Sequence, residues 1–153
     1  MEDFRTINFK LFFENLKDDS KPKWGKMSLQ HAIEHLSDSL LISNGKNPLK
    51  MPEIPTQTFD HLRKFLLGKN QFPQGFISPL IGDDLPDLRN ENLENAKNEL
   101  VNEIENYKIF WSENPNAKFY NPTFGILNFK EWELFHNKHF RHHFNQFGLI
   151  DIL

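Results

Sequence analysis

Proline and glycine divide the chain into five uninterrupted stretches, and this division limits the fold more than any other feature. Both residues are poorly tolerated inside helices, because proline lacks an amide hydrogen and glycine loses much conformational freedom on ordering. Apolar residues recur three and four positions apart within the stretches, which is typical of amphipathic helices. We expect 1–153 to form a single all-α domain, with four stretches long enough to be bundle helices. The five stretches are 1–21, 26–44, 56–67, 87–114 and 126–147.

The last stretch contains nearly all of the sequence FKEWELFHNKHFRHHFNQFG, residues 129–148. This sequence has four of the seven histidines within eight residues. At 100° per residue, His139, His143, Gln146 and Trp132 fall within about 60° of one another on a helix. Phenylalanines lie directly beside this row, on the face that a helix buries. Two imidazoles one turn apart, at the edge of a buried stripe, can both point into a helix bundle. This is the geometry of a pair of metal ligands, and a third ligand must come from elsewhere.

The second stretch supplies the third candidate ligand. Ser28 is a favourable N-cap and Gly45 a favourable stop, so we expect a helix between them. His35 lies on the flank of its apolar stripe, as His139 does on the last helix. His31, one turn earlier on nearly the same side, is the main alternative. The stripe consists of four aliphatic residues: Leu29, Ile33, Leu36 and Leu40.

The remaining histidines have other expected roles. His136 is also near the row on the last helix, so it and His31 are the two residues that could replace a ligand. His142 and His61 are expected to be solvated or to lie behind the ligands. Glu133 and His136 have the Glu-x-x-His spacing of di-iron carboxylate bundles. Such bundles need a second copy and two further glutamates that face inward. No second copy is present here, so we discount a ferritin or a di-iron oxygenase.

The absence of cysteine restricts the chemistry of the site. It excludes disulfides, thiolate zinc sites and a cysteine nucleophile. Three imidazoles without a thiolate suit zinc, nickel or ferrous iron, and they leave positions open for water or substrate, as catalytic sites do. No glycine-rich phosphate loop and no plausible serine triad is present, so the sequence names no catalytic residue.

Charge and hydropathy argue against two classes of partner. The formal net charge is −3 and the isoelectric point is near 6.2, whereas a nucleic-acid or anionic-membrane surface needs a basic face. Lys138 and Arg141 beside the histidines are too few to provide one. Met1 is followed by Glu2 and Asp3, and no segment approaches the ~20 apolar residues that span a bilayer. We therefore expect a soluble, cytoplasmic protein.

Two connecting regions bear on the site. The irregular segment 68–90 is long for a compact domain, and such segments are often functional. We expect it either to cover one mouth of the bundle or to serve only as a crossover. The stretch 87–114 is the longest predicted helix and carries no histidine, so it is expected to wall the site without ligating. A turn-rich connector then leads to the last helix, which opens with Asn128 and Glu131 at capping-box spacing.

Three motifs together resemble the DinB-like superfamily of four-helix bundles. They are Trp24 with MSLQHAIEHL close behind it, NPTFGIL followed by Glu131 and Trp132, and the closing KHFRHHFNQFGL. The likeness is greatest to a branch whose function is not established. It covers most of the chain, although the specific motifs lie near its two ends.

The resemblance implies a fold, a ligand set and a chemistry. Helices two and three of the bundle would run parallel and be joined by a long crossover. His35, His139 and His143 would bind a divalent metal, with Gln146 at the position of a glutamine that follows the ligands. Some relatives activate a low-molecular-weight thiol, so we expect a metal-dependent transferase or hydrolase with a small-molecule substrate. The alternative is a non-catalytic bundle for small-molecule binding, sensing or dimerisation.

The resemblance also implies assembly, since such bundles often pair through helix faces. Phe12, Phe13 and Ile109 adjoin the predicted core stripes and would leave apolar surface for a second copy. A homodimer is therefore expected.

Overall fold

The structure is a computed structural model that describes residues 3–14, 16, 19–53, 57–76 and 84–150. Within these residues the protein is mostly helical, with one small antiparallel sheet. No helix in this described part is both long enough and apolar enough to cross a membrane. The elements are a 3-10 helix, Phe4–Thr6, and then α1 (Phe9–Glu14), α2 (Leu29–Ser43), α3 (Gln57–Leu67), α4 (Leu93–Glu113), β1 (Phe119–Asn121), β2 (Gly125–Leu127) and α5 (Phe129–Gln146).

The caps of α2 and α5, the helices that carry the candidate ligands, agree with the sequence. The Ser28 side chain accepts a hydrogen bond from the His31 amide at the start of α2, and Gly45 follows its end with φ +79°. At the start of α5, Asn128 and Glu131 form the predicted reciprocal capping box. These caps satisfy amides that have no partner within the helix, and so they fix where each helix begins.

The main core lies between α2 and α4. The four predicted stripe residues of α2 are all buried. The buried face of α4 also agrees with the sequence, because its apolar residues recur three and four positions apart over the whole helix. Its buried apolar residues are Leu93, Ala96, Leu100, Ile104, Tyr107 and Trp111.

The N-terminal stretch differs from the single amphipathic helix that was predicted. Because α1 begins only at Phe9, its inward face is set by Phe9, Phe12 and Phe13, all buried, and Leu11 is 57% exposed. In a single helix over this stretch, the spacing predicts Leu11 on the buried face together with Phe4 and Ile7, and this prediction is wrong. The expectation that Phe12 and Phe13 offer surface to a partner is wrong for the same reason, whereas Ile109 is 56% exposed.

The connector before α5 contains a β-hairpin, which the all-α prediction missed. Tyr120 pairs with Ile126 across the two strands, and Gly125 has φ +82° where β2 begins. The Asn121 side chain accepts hydrogen bonds from the amides of Thr123 and Phe124 and so closes the turn. Strands of three residues are too short to show an alternating pattern, which is why the sequence indicated only turns.

The connection between α3 and α4 is held at both ends. The Lys138 ammonium group of α5 donates to the carbonyl of Gly68 at 2.8 Å. The buried Glu34 carboxylate of α2 accepts from the backbone amides of Arg89 at 2.8 Å and Asn90 at 2.9 Å. These contacts fix the described ends of the connection against α5 and α2, the helices that carry the candidate ligands.

Candidate metal centre

Three histidines from two helices meet at one point. His35 of α2 faces His139 and His143 of α5, with ring centroids 4.6 and 5.0 Å from His35 and 4.9 Å between the α5 pair. One ring nitrogen of each lies within 4.8 Å of the others, and these three could hold a metal ion. In the described residues they are the only group of three or more potential ligands that meets this condition. These are the residues that the sequence predicted.

The local structure explains why the rings converge. His139 and His143 are one helical turn apart, so both project from one side of α5, and both are buried. His35 lies on the flank of the α2 stripe and keeps one partly exposed edge. Its Nε2 lies 2.8 Å from Nε2 of His139. The contact between α2 and α5 thus places two coordinating atoms against each other.

Gln146 determines which nitrogen of His143 faces the cluster. Its amide nitrogen donates to the Trp24 carbonyl at 3.0 Å, so its oxygen must be the atom 2.9 Å from Nδ1 of His143. Nδ1 of His143 therefore carries the proton and donates it. Nε2 is left with its lone pair free, which is how a partner behind a ligating histidine fixes the tautomer.

Burial keeps the three imidazoles neutral. It lowers the pKa of His35 to about 4, and it lowers the pKa of His139 and of His143 well below the usual value, because an imidazolium ion would lose its hydration. Mutual repulsion among the rings adds to this effect. The neutral form is the one that can ligate a metal.

The contact between Nε2 of His35 and Nε2 of His139 gives a cation a place to bind. Without a cation, one of these two nitrogens must carry a proton and donate it to the other. A metal ion would instead accept the lone pairs of both. Two nitrogens bound to one tetrahedral ion at about 2.0 Å would be about 3.3 Å apart, so the rings would have to separate by about 0.5 Å. The donor set and the spacing therefore fit a transition metal.

His31 is not brought to this cluster. It occupies the first turn of α2, where its Nδ1 lies 2.7 Å from the Ser28 hydroxyl as part of the helix cap. The ring is engaged at the helix end, one turn before His35. It is therefore not positioned to replace a ligand, although the sequence had left this possibility open.

His136 is not brought to the cluster either. It is fully buried, its Nε2 lies 2.8 Å from the Ser43 hydroxyl, and its ring stacks on Trp132 with the planes 26° apart. Because the Ser43 hydroxyl donates to the carbonyls of Ser39 and Leu40, Nε2 of His136 must donate to Ser43. This histidine joins α2 to α5 in the core, so it too is not positioned to replace a ligand.

The two remaining histidines differ from each other. His61 on α3 is exposed, as predicted. His142 is half-buried, with its ring centroid 5.0 Å from that of His143 and 5.6 Å from that of Trp24. It therefore lies beside the cluster rather than in solvent.

The cluster opens into a cavity of about 660 Å³. None of the residues of α4 is in its described lining, so the expectation that this helix walls the site is wrong. Instead, α4 contacts the buried His136 through Tyr107, with ring centroids 5.2 Å apart. The described parts of the connection between α3 and α4 line the cavity, which agrees with the first of the two roles predicted for segment 68–90. The residues of this connection that line the cavity are Phe72, Gly75, Phe76, Asp84, Leu85 and Pro86.

Several lining residues were missed by the sequence reasoning. Asp38 follows His35 by three positions on α2, so helical spacing could have placed it beside the site. Asn121 and Thr123 come from the hairpin, and no periodic signal pointed to them. The backbone carbonyl of Trp24 that holds Gln146 could not have been found, since any residue type can supply it.

Comparisons of the chain with protein-family models, with curated proteins and with solved structures find no match. The chemistry of the site is therefore argued from the residues of the chain.

Proposed function

We propose that the protein is a metal-dependent hydrolase or transferase. One divalent transition ion, zinc, nickel or ferrous iron, would be held by Nε2 of His35, His139 and His143. The single observation that carries this proposal is the convergence of three neutral imidazoles whose ring nitrogens lie within 4.8 Å of one another. Imidazole suits these metals, and no thiolate competes, because the chain has no cysteine.

An ion held in this way would supply Lewis acidity, which lowers the pKa of a thiol or of water and makes it a nucleophile near neutral pH. The chain itself supplies orientation. Gln146 holds the tautomer of His143, and the carbonyl of Trp24 holds Gln146. The apolar side chains around the cavity exclude bulk water and so strengthen electrostatic interactions inside it.

The number of ligands favours a catalytic site over a structural one. Structural zinc sites are closed by four protein ligands, whereas catalytic sites keep a position open. Here three described side chains converge, and the space beside them is a cavity of about 660 Å³ rather than packed core. A substrate of modest size can therefore approach the same point.

We further propose a DinB-like arrangement, in which α1, α2, α4 and α5 are the four bundle helices and the segment containing α3 is the crossover. The positions of the three histidines and of Gln146, and the length of the connection between α2 and α4, support this assignment. In that setting a low-molecular-weight thiol would be the substrate that is activated. Homodimerisation remains part of the proposal, and exposed Ile109 is the surface residue that still favours it.

The test of activation is the pKa of a bound thiol. Untagged protein loaded with Zn²⁺ is titrated with 2-mercaptoethanol, and thiolate formation is followed by ultraviolet absorbance between pH 6 and 10. We expect thiolate at a lower pH than in free solution, and we expect the effect to vanish in His143→Ala. If the loaded protein leaves the thiol unchanged, and also shows no hydrolysis of activated esters above Zn²⁺ alone, the catalytic proposal is contradicted.

A second candidate function has one observation in its favour. The cavity and its aromatic lining suit a non-catalytic module that binds or senses a small molecule. In that case ligand binding would not require metal, and His143→Ala would retain it. Calorimetric titration of the wild type and of this variant therefore separates the two functions.

A further inference from the structure

One wall of the cavity is formed by the rings of Phe72 and Phe76. The rings of Phe72 and Phe76 stack with centroids 5.7 Å apart and planes within 18°. Phe65 and Phe124 are nearly parallel to Phe72 as well, at 15° and 16°. Four rings therefore share almost one orientation. Phe76 is 42% exposed and borders the cavity. A flat ring placed against it would continue the array.

This wall and the histidine cluster are connected through single intervening rings. Phe135 lies 5.0 Å from His139 and 6.0 Å from Phe72, measured between ring centroids. His142 similarly lies 5.0 Å from His143 and 6.2 Å from Phe72. Phe72 is thus separated from the cluster by a single ring. Phe76 and the three histidines line the same cavity, so a substituent on a molecule stacked on Phe76 can point through the cavity towards the histidine nitrogens.

The charges of the described lining disfavour an anion. Asp38 and Asp84 place carboxylates along the cavity, and Arg89 forms an ion pair with Asp38 at 2.7 Å. Lys26 is the one described lysine or arginine in the lining, and it is exposed. Because Arg89 compensates Asp38, the Asp84 carboxylate and the exposed Lys26 are the remaining charges of the described lining, and they offer a negatively charged ligand no net positive charge. An uncharged ligand needs none.

We propose that the cavity binds an uncharged planar aromatic molecule, stacked on Phe76, with a thiol or hydroxyl on a short arm directed at His35, His139 and His143. Aromatic rings gain from offset stacking in addition to their burial, which a saturated ring of the same size does not. The recognition of the ring depends on the wall alone. The role of the arm rests on the proposed metal-dependent function.

The test compares benzyl mercaptan with cyclohexylmethanethiol, which have the same number of non-hydrogen atoms and differ in the flatness of the ring. Binding to the full, untagged chain is measured by calorimetry with Zn²⁺ and after treatment with a chelator. We expect the aromatic thiol to bind about three- to tenfold more tightly in both states. Phe76→Leu should remove the preference. The matched control is Ile109→Ala, which also removes an exposed apolar side chain but lies on α4 and should keep the preference.

Equal affinity for the two thiols, tighter binding of the saturated one, or tighter binding of cysteine than of benzyl mercaptan would overturn the inference. Persistence of the preference in Phe76→Leu would overturn it too, because the wall would then not be the determinant. The zinc content of each sample is measured separately. Loss of zinc with a retained preference for the aromatic ring would count against the proposed function alone, and retained zinc without the preference would count against this inference alone.

Discussion

Two histidines one helical turn apart on α5 have opposite surroundings. His136 faces Ser43 at the end of α2, among Phe4, Tyr107 and Trp132, and it is completely buried. His139 faces His35 near the middle of α2 and borders the cavity. Both are neutral, since burial lowers the pKa of each. The difference shows that the partner on α2, and not the position on α5, separates a core histidine from a candidate ligand.

The largest effect should be the loss of zinc affinity when His139, which borders the cavity, is removed. His139→Ala leaves two imidazoles, and we expect the affinity for Zn²⁺ to fall by more than about a hundredfold, since loss of only a supporting partner costs 10- to 100-fold. The free energy of unfolding of the metal-free protein should change by less than about 1 kcal/mol, because the side chain borders a cavity. Competition with a chromophoric chelator measures the first quantity and urea unfolding the second. Unchanged zinc affinity would remove His139 from the site.

The reverse pattern is expected for His136→Ala. It leaves a void in packed core and removes the donor to Ser43, so the free energy of unfolding should fall by about 2–3 kcal/mol. The affinity for Zn²⁺ should stay within about twofold. Urea unfolding and the same chelator competition provide the measurements, and exposed His61→Ala, with an expected change below about 0.5 kcal/mol, is the control. Weaker zinc binding with unchanged stability would contradict the distinction between His136 as a core residue and His139 as a ligand.

This contrast also marks where sequence reasoning was sufficient and where it was not. The buried faces of α2 and α4 followed from spacing, the starts of α2 and α5 followed from their caps, and His139 with His143 followed from their separation by four residues. His136 could not be separated from them, because α5 is buried along the whole of this side and the helical wheel contains no information about the partner helix. Gln146 was placed by pattern, but its hold on the Trp24 carbonyl depends on a contact between residues 122 positions apart. The hairpin was too short to give a periodic signal.

The orientation of His143 offers a sharper test of the cavity side. Gln146→Leu removes the acceptor for Nδ1 while keeping similar volume, and we expect zinc affinity to fall by about 10- to 100-fold. Gln146→Glu keeps an oxygen acceptor, so its loss should be smaller. Both are measured by chelator competition at pH 7.5. An equal loss in the two variants would show that packing, and not the hydrogen bond to His143, is what Gln146 provides.

Acidification should lower the free energy of unfolding through both His35 and His136. The folded-state pKa is about 4 for His35 and about 3 for His136, below the value of about 6.5 expected in the unfolded chain. The unfolded chain therefore takes up protons first, so stability is full above about pH 6.5 and is lost as the pH falls toward 4 and then 3. Over the first pH unit below 6.5 each group should cost about 1 kcal/mol.

Urea unfolding of metal-free protein at pH 7.5, 6.5 and 5.5 measures this loss. His136→Phe should flatten the dependence by one group's share. A stability that rises on acidification would contradict the neutral, buried state of these histidines.

Removal of metal should have the smallest effect on the fold. The core between α2 and α4 is built from buried apolar side chains that pack without an ion, so an ion would stabilise the folded state only by mass action. Circular dichroism should show the same helix content with and without a chelator, while the midpoint of thermal unfolding falls by an amount that increases with the logarithm of the zinc affinity. A collapse of helical signal on chelation would mean that the cavity side is needed for folding and that the site is structural.

The central claim is that His35, His139 and His143 together hold one ion while His136 and His31 hold none. Crystals of untagged protein soaked in Zn²⁺, with data collected on both sides of the zinc absorption edge, test it most directly. We predict one strong anomalous peak per chain, bonded at about 2.0–2.1 Å to Nε2 of each of the three histidines. No peak at this point, or a peak bonded to His136 or His31 in place of one of the three, would contradict the account.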